Sequence, residues 1–139
     1  MSSVFTKILN GDILGYIVAE DDDHFALLDI NPLANGHTLV IPKQEVDYIF
    51  EIEDERLANY FLFAKKVAAA IKENVNCKRI GMSVIGLEVP HTHIHLVPLN
   101  TMDDINFSKQ RVEMNQEEFI VLANAIQKSF TGLDPDSDE

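Results

Sequence analysis

A single cysteine, Cys77, is all the thiol chemistry this chain carries, which excludes an internal disulfide and any Cys-based zinc site. Basic residues are scarce as well. Lys and Arg number 11 against 23 Asp and Glu, leaving a formal charge of −12 and a pI near 4.6. Nucleic-acid polymers and anionic membranes are gripped by neutralising phosphates with Lys and Arg, so neither is an expected partner. Net charge leaves room, however, for a small anionic substrate in a locally favourable pocket. Long apolar runs are also missing: no stretch approaches the ~18–20 residues that cross a bilayer. The opening Met1-Ser2-Ser3-Val4-Phe5-Thr6-Lys7 does not lead a basic segment into an apolar block. No secretory leader is expected, and a reducing, cytoplasmic setting is the default.

What is present reads as a folded protein. The 139 residues are 46% hydrophobic and 24% charged, and no repeat or low-complexity block interrupts them, which predicts a single domain over 1–132. An acidic, frayed tail over 133–139 follows, carrying Asp134, Asp136, Asp138 and Glu139. Ser2 or Ser3 is placed to cap a short helix over 4–10, stopped by Gly11. Runs of β-formers predict strands over 16–20, 24–30, 37–42, 79–85 and 91–98. The turn Asp21-Asp22-Asp23 separates the first two, and Asn31-Pro32 and Asn35-Gly36 break the chain before the third. Between the third and fourth strands, Leu57, Phe61, Ala64, Ala68 and Ile71 recur at steps of three and four, predicting a long helix over 54–75 with that stripe in the core. A last helix opens at Asn115, whose pairing with Glu118 resembles a capping box, and buries Phe119, Leu122, Ile126 and Phe130. Neighbouring strands framed by helices predict an α+β fold with an antiparallel sheet.

Three of the five histidines fall in His91-Thr92-His93-Ile94-His95. In a strand this spacing puts all three rings on one face, about 6.6–6.8 Å apart. Four readings compete. The rings could be surface polars, satisfied core residues, metal ligands, or a catalytic row. Neighbours such as His93 and His95 are spaced to converge on an ion. For catalysis, a neutral imidazole nitrogen is a capable nucleophile near pH 7, and adjacent rings can donate to phosphoryl oxygens. A backbone carbonyl accepting from Nδ1–H would fix the tautomer and leave Nε2 to attack. His24 stands apart from this cluster and reads as a surface histidine.

With these residues the chain resembles the histidine triad (HIT) family of nucleotide hydrolases and transferases, over roughly residues 3–98. Three blocks carry the resemblance: Ser3-Val4-Phe5-Thr6-Lys7-Ile8, then Asp29-Ile30-Asn31-Pro32 through Gly36-His37-Thr38-Leu39-Val40-Ile41-Pro42-Lys43, then Val89-Pro90-His91-Thr92-His93-Ile94-His95-Leu96-Val97-Pro98. The resemblance implies a HIT-like fold, a strongly bent antiparallel sheet of about five strands with one long helix and a C-terminal helix, assembled as a homodimer. It implies that His93 attacks the α-phosphorus of a purine nucleotide conjugate, a phosphoramidate or adenylylated small molecule, and that water resolves the nucleotidyl-histidine. His95 would contact phosphate oxygens, His91 would orient the site, and His37 would be a fourth member. Asp29 matches a ribose-binding carboxylate, and Phe5, Ile8, Leu27 and Ile30 match positions lining a nucleobase slot.

The chain also departs from the pattern. Leu87 stands where the family often has a phosphate-contacting Gln, Ser83 is the stand-in for an upstream Asn, and Glu88 replaces a hydroxyl near the leaving group. Dinucleoside polyphosphate hydrolysis and a non-catalytic nucleotide-binding module are the alternative readings. Some members carry zinc near the N-terminus; the matching positions here are Ser3, Thr6 and Glu45, a poor zinc set. No metal and no cofactor are expected, and apolar contacts are expected to hold the N-terminal turn.

Overall fold

Ser3 starts the first helix: its hydroxyl accepts from the Thr6 N–H at 3.1 Å, and α1 spans Val4–Leu9. Gly11 then takes φ of 85°, a left-handed turn that favours glycine. The structure, a computed structural model, describes residues 2–133. Strands β1 (Ile17–Glu20), β2 (His24–Leu28) and β3 (Thr38–Pro42) form an antiparallel meander. Helix α2 (Asp54–Asn74), β4 (Arg79–Ser83), β5 (Ile94–Leu99) and α3 (Gln116–Leu133) follow, with short 3-10 turns at Ile49–Glu51 and Met102–Ile105. The sheet order is β1-β2-β3-β5-β4, antiparallel throughout. This is the expected α+β architecture: five antiparallel strands, one long helix and a C-terminal helix.

Both faces of the sheet are covered, which is why every residue of β2 and β3 is buried. One face presents Ala26, Leu28, Val40, Ile94 and Leu96 to an apolar layer from α2 and α3, including Tyr60, Phe63, Val67 and Phe130. The other presents Phe25, Leu27, Leu39 and Ile41 to Phe5 of α1. His95 lies between Ile94 and Leu96, so alternation turns it to the α1 side.

Several local expectations shift. Strand β2 ends at Leu28 rather than at residue 30, and β5 begins at Ile94 rather than at 91. On α2 the buried set is Tyr60, Phe63, Ala64, Val67, Ala70 and Ile71, whereas Phe61 is exposed. Two apolar stripes share the three-four spacing on this helix, and the sheet selects the one through Tyr60. His24 is buried, not superficial: its ring stacks on Tyr60 and Phe63, and its Nδ1 lies 2.9 Å from the Asp21 carboxylate. Helix α3 opens on the expected reciprocal cap, with Asn115 and Glu118 exchanging side chain-to-backbone bonds of 2.8 Å. Leu133, expected to begin the acidic tail, closes α3, and residues 134–139 lie outside the described residues. Among the described residues no helix is long and apolar enough to cross a membrane.

Candidate active site

His95 sits mid-sheet, opposite Leu39 of β3 on one side and Ser83 of β4 on the other. His37 precedes β3 by one residue and shares the face of Leu39, so its ring reaches that of His95, with centroids 5.2 Å apart. His93 joins them just before β5 begins, its ring centroid 5.0 Å from that of His95. The expected single row of three rings does not form. Residues 91–93 leave the ladder because the Val46 carbonyl accepts both the N–H and the hydroxyl of Thr92, at 2.7 and 2.6 Å. His91 is fully buried between Pro42 and Ser3, and the ring that accompanies His93 and His95 is that of His37.

Hydrogen-bond partners place the proton on each neutral ring. A carbonyl can only accept, so the His91 carbonyl, 2.9 Å from His93 Nδ1, puts the proton there and leaves Nε2 with its lone pair. The Leu33 N–H donates to His37 Nδ1 at 2.9 Å, so the His37 proton is on Nε2, which donates to His95 Nδ1 at 3.0 Å. His95 must then carry its own proton on Nε2. The cluster thus pairs a bare nitrogen on His93 with an N–H donor on His95.

Electrostatics keep the supporting rings neutral. Burial, then the neighbouring His95 and Arg111, push His37 down to about 3. Burial, then His93 and Arg111, push His95 down to about 4. Asp29 lies 3.6 Å from His37 Nε2, a contact with a neutral ring rather than an ion pair at neutral pH. Its carboxyl is raised by burial, opposed by the Asn31 N–H and by the Arg111 charge. Asp29, His37 and His95 each bring one potential ligand atom within 4.8 Å of the others. The His37 proton already occupies that space, and a cation would have to displace it.

A cavity of about 400 Å³ opens over His93 and His95. Asp29 and Glu88 line it, as do Leu87 and two residues with no prior signal, Phe107 and Arg111. The latter pair comes from the aperiodic stretch between β5 and α3, where neither period nor motif marks them. Phe5 and Leu27 lie buried beside the site, Phe5 edge-on to His93 at 5.0 Å, and Ile8 packs on the same cluster. None of Phe5, Ile8, Leu27 and Ile30 lines this cavity itself, and Ile30 is 69% exposed. Leu27 and Ile30 differ by an odd number of residues, and an Asx turn in which Asp29 accepts from the Asn31 N–H ends the strand before Ile30. Ser83 closes β4 beside His95 without lining the cavity.

The N-terminal turn is pinned by polar contacts, not by apolar packing alone. Ser3 donates its hydroxyl to His91 Nδ1, since His91 Nε2 already donates to the Pro42 carbonyl at 2.7 Å. Thr6 donates to Glu45 at 2.7 Å, and the Ser3 N–H reaches the same carboxylate at 3.2 Å. The Thr6 hydroxyl, then the Ser3 N–H, hold the Glu45 carboxyl below its usual range. Ser3, Thr6, Glu45 and His91 thus converge as a hydrogen-bonded cluster that fixes the His91 backbone under His93.

Comparison with known proteins bears on this site. A profile described as HIT domain matches residues 10–102. An adenosine 5′-monophosphoramidase of Schizosaccharomyces pombe is 39% identical over 99 residues, spanning 70% of this chain and 74% of that protein. An uncharacterized HIT-like protein of Methanocaldococcus jannaschii is 38% identical over 99 residues, spanning 68% of this chain and 77% of that protein. Among solved structures, a hypothetical histidine triad nucleotide-binding protein from Sulfolobus tokodaii matches with a TM-score of 0.78 at 31% identity, covering 93% of this chain and 92% of that one. Phe107 and Arg111 lie beyond the profile-matched residues.

Proposed function

This chain belongs to the HIT domain family, and on that premise we propose that it is a nucleotide hydrolase or transferase acting at the α-phosphate of purine nucleotide conjugates. Phosphoramidates and adenylylated small molecules are the substrate class. The observation that carries this reading is the His91 carbonyl on His93 Nδ1, which leaves an unprotonated Nε2 beside the His95 N–H donor.

In the first displacement the His93 Nε2 lone pair forms an N–P bond while the bond from phosphorus to the leaving group breaks, and an amine leaving group departs with a proton from solvent. His95 Nε2–H donates to a phosphoryl oxygen and offsets the charge that grows there. Water then attacks phosphorus, the N–P bond breaks, and the lone pair returns to Nε2. The product is a nucleoside monophosphate, and the proton released by water balances the one taken by the amine. Asp29 would accept from ribose hydroxyls, His37 holds the His95 tautomer, and His91 positions His93 through its carbonyl. Phe5, Ile8, Leu27 and Ile30 would border the base.

Single-turnover incubation with adenosine 5′-phosphoramidate tests the reading by mass. The wild-type protein should gain an adenylyl group transiently, and His93→Ala should neither gain it nor turn over while keeping its circular dichroism spectrum. Full turnover by His93→Ala removes His93 from the mechanism. Nucleotide binding with no adduct and no turnover identifies a non-catalytic binding module instead, a reading to which the 88% exposed Leu87 lends some weight because it offers no phosphate donor. Replacing the probe with a dinucleoside polyphosphate separates the two enzyme readings.

The proposal includes a homodimer built on α2 and the free edge of β4, where Phe61 and Met82 are exposed apolar side chains. A reducing, cytoplasmic setting belongs to the same proposal, given one cysteine and no disulfide.

A further inference from the structure

The stretch between β5 and α3 crosses the loop that follows β2 and brings a cation to the histidine cavity. Arg111 Nη1 donates to the Asn31 carbonyl at 2.8 Å, and the next residue's N–H, that of Val112, donates to the Pro32 carbonyl at 2.9 Å. The Arg111 guanidinium carbon stands 5.7 Å from the Phe107 ring centroid, within cation–π range. Phe107 meets His95 edge-on at 4.8 Å and His37 at 6.3 Å. Carbonyl, ring and backbone therefore fix the guanidinium beside the site without using up its charge. A guanidinium has five N–H donors in a rigid plane, and the Asn31 carbonyl engages one of its nitrogens.

No ion pair among the described residues ties up the charge of Arg111, in a chain whose net charge is −12. Among the described residues lining the cavity it is the one Lys or Arg. Its field favours the ionised form of Asp29 and the neutral forms of His37 and His95, which places it within electrostatic reach of all three. The lining residues from the stretch after β4 supply no cation: Ile85 and Leu87 are apolar and Glu88 is acidic. A phosphate entering this cavity meets its counter-charge at Arg111.

We propose that Arg111 is a substrate-binding residue that holds phosphate oxygens, so that the 106–112 segment forms a second, charge-selecting wall of the site. Its ligand class is the phosphate of a nucleoside 5′-phosphate, and the proposal rests on the nucleotide reading above. Arg111 acts by charge and planar donation through its guanidinium.

Titration calorimetry of the full chain with adenosine 5′-monophosphate and with adenosine tests it, comparing wild type with Arg111→Gln and Arg111→Lys. Arg111→Gln should weaken monophosphate binding at least tenfold and leave adenosine binding within twofold. Arg111→Lys should fall between wild type and Arg111→Gln, since it keeps the charge but loses the fork. Raising salt should weaken monophosphate binding in wild type and much less in Arg111→Gln. Equal monophosphate binding by wild type and Arg111→Gln overturns the proposal while leaving the nucleotide reading standing. A parallel loss for both ligands also overturns it, by showing that Arg111 only shapes the wall through Asn31 and Phe107. A wild-type protein that binds neither ligand overturns the nucleotide reading and this inference with it.

Discussion

His37 is 1% exposed with its ring pKa pushed down to about 3, and His95 follows at about 4. In the unfolded chain both rings titrate near 6.5. Between about pH 6.5 and 4 the unfolded state therefore takes up protons that the folded state refuses, and stability falls as pH drops through that window. His91, lowered by burial, acts in the same direction, whereas the raised carboxyl of Asp29 partly opposes it at the acid end. Urea unfolding at a series of pH values should show a loss on the order of a few kcal/mol between pH 7 and 4.5. His37→Gln should flatten that slope. A wild-type stability that holds level across this range would show that the rings are not held neutral.

At the level of elements, the site depends on where strands stop. Strand β3 starts immediately after His37, and Gly36 before it has φ of +96°. A Cβ added there would stand 2.8 Å from Val75 Cγ2 at the end of α2. Gly36→Ala should therefore destabilise the fold by roughly 1–2 kcal/mol, from the positive φ and the crowding together. Because Gly36 leads directly into His37, turnover should fall as well. A urea midpoint equal to that of wild type would count against this account of the turn. The capping box of α3 was readable as letters, since it needs only two residues three apart. The late start of β5 was not, because the Val46 carbonyl that draws Thr92 out of the ladder belongs to a segment 46 positions away.

Across the whole molecule, the open sheet has two edge strands, β1, against which α3 packs, and β4, which has no strand beyond it. Helix α2 adds an exposed apolar side chain, Phe61. A second copy of the chain would cover both, and sedimentation equilibrium should return twice the 15.7 kDa chain mass. Phe61→Asp should shift that mass toward a single chain while far-ultraviolet circular dichroism stays unchanged. A wild-type protein that sediments at 15.7 kDa throughout would remove the dimer from the proposal.

Local pattern alone was enough for the α+β class, the order of helices and strands, and the concentration of chemistry in His91, His93 and His95, because periodicity, caps and His-x-His-x-His are short-range features. Folding decided which rings act together. His91 turned inward to bond Pro42 and Ser3, and His37 took the neighbouring place through the register of β3 with β5. It also decided that Ile30 faces solvent, that His24 packs on Tyr60, and that Arg111 reaches Asn31 across 80 positions of sequence. Contacts of that range depend on how layers and loops meet in space, and no spacing of letters along the chain encodes them.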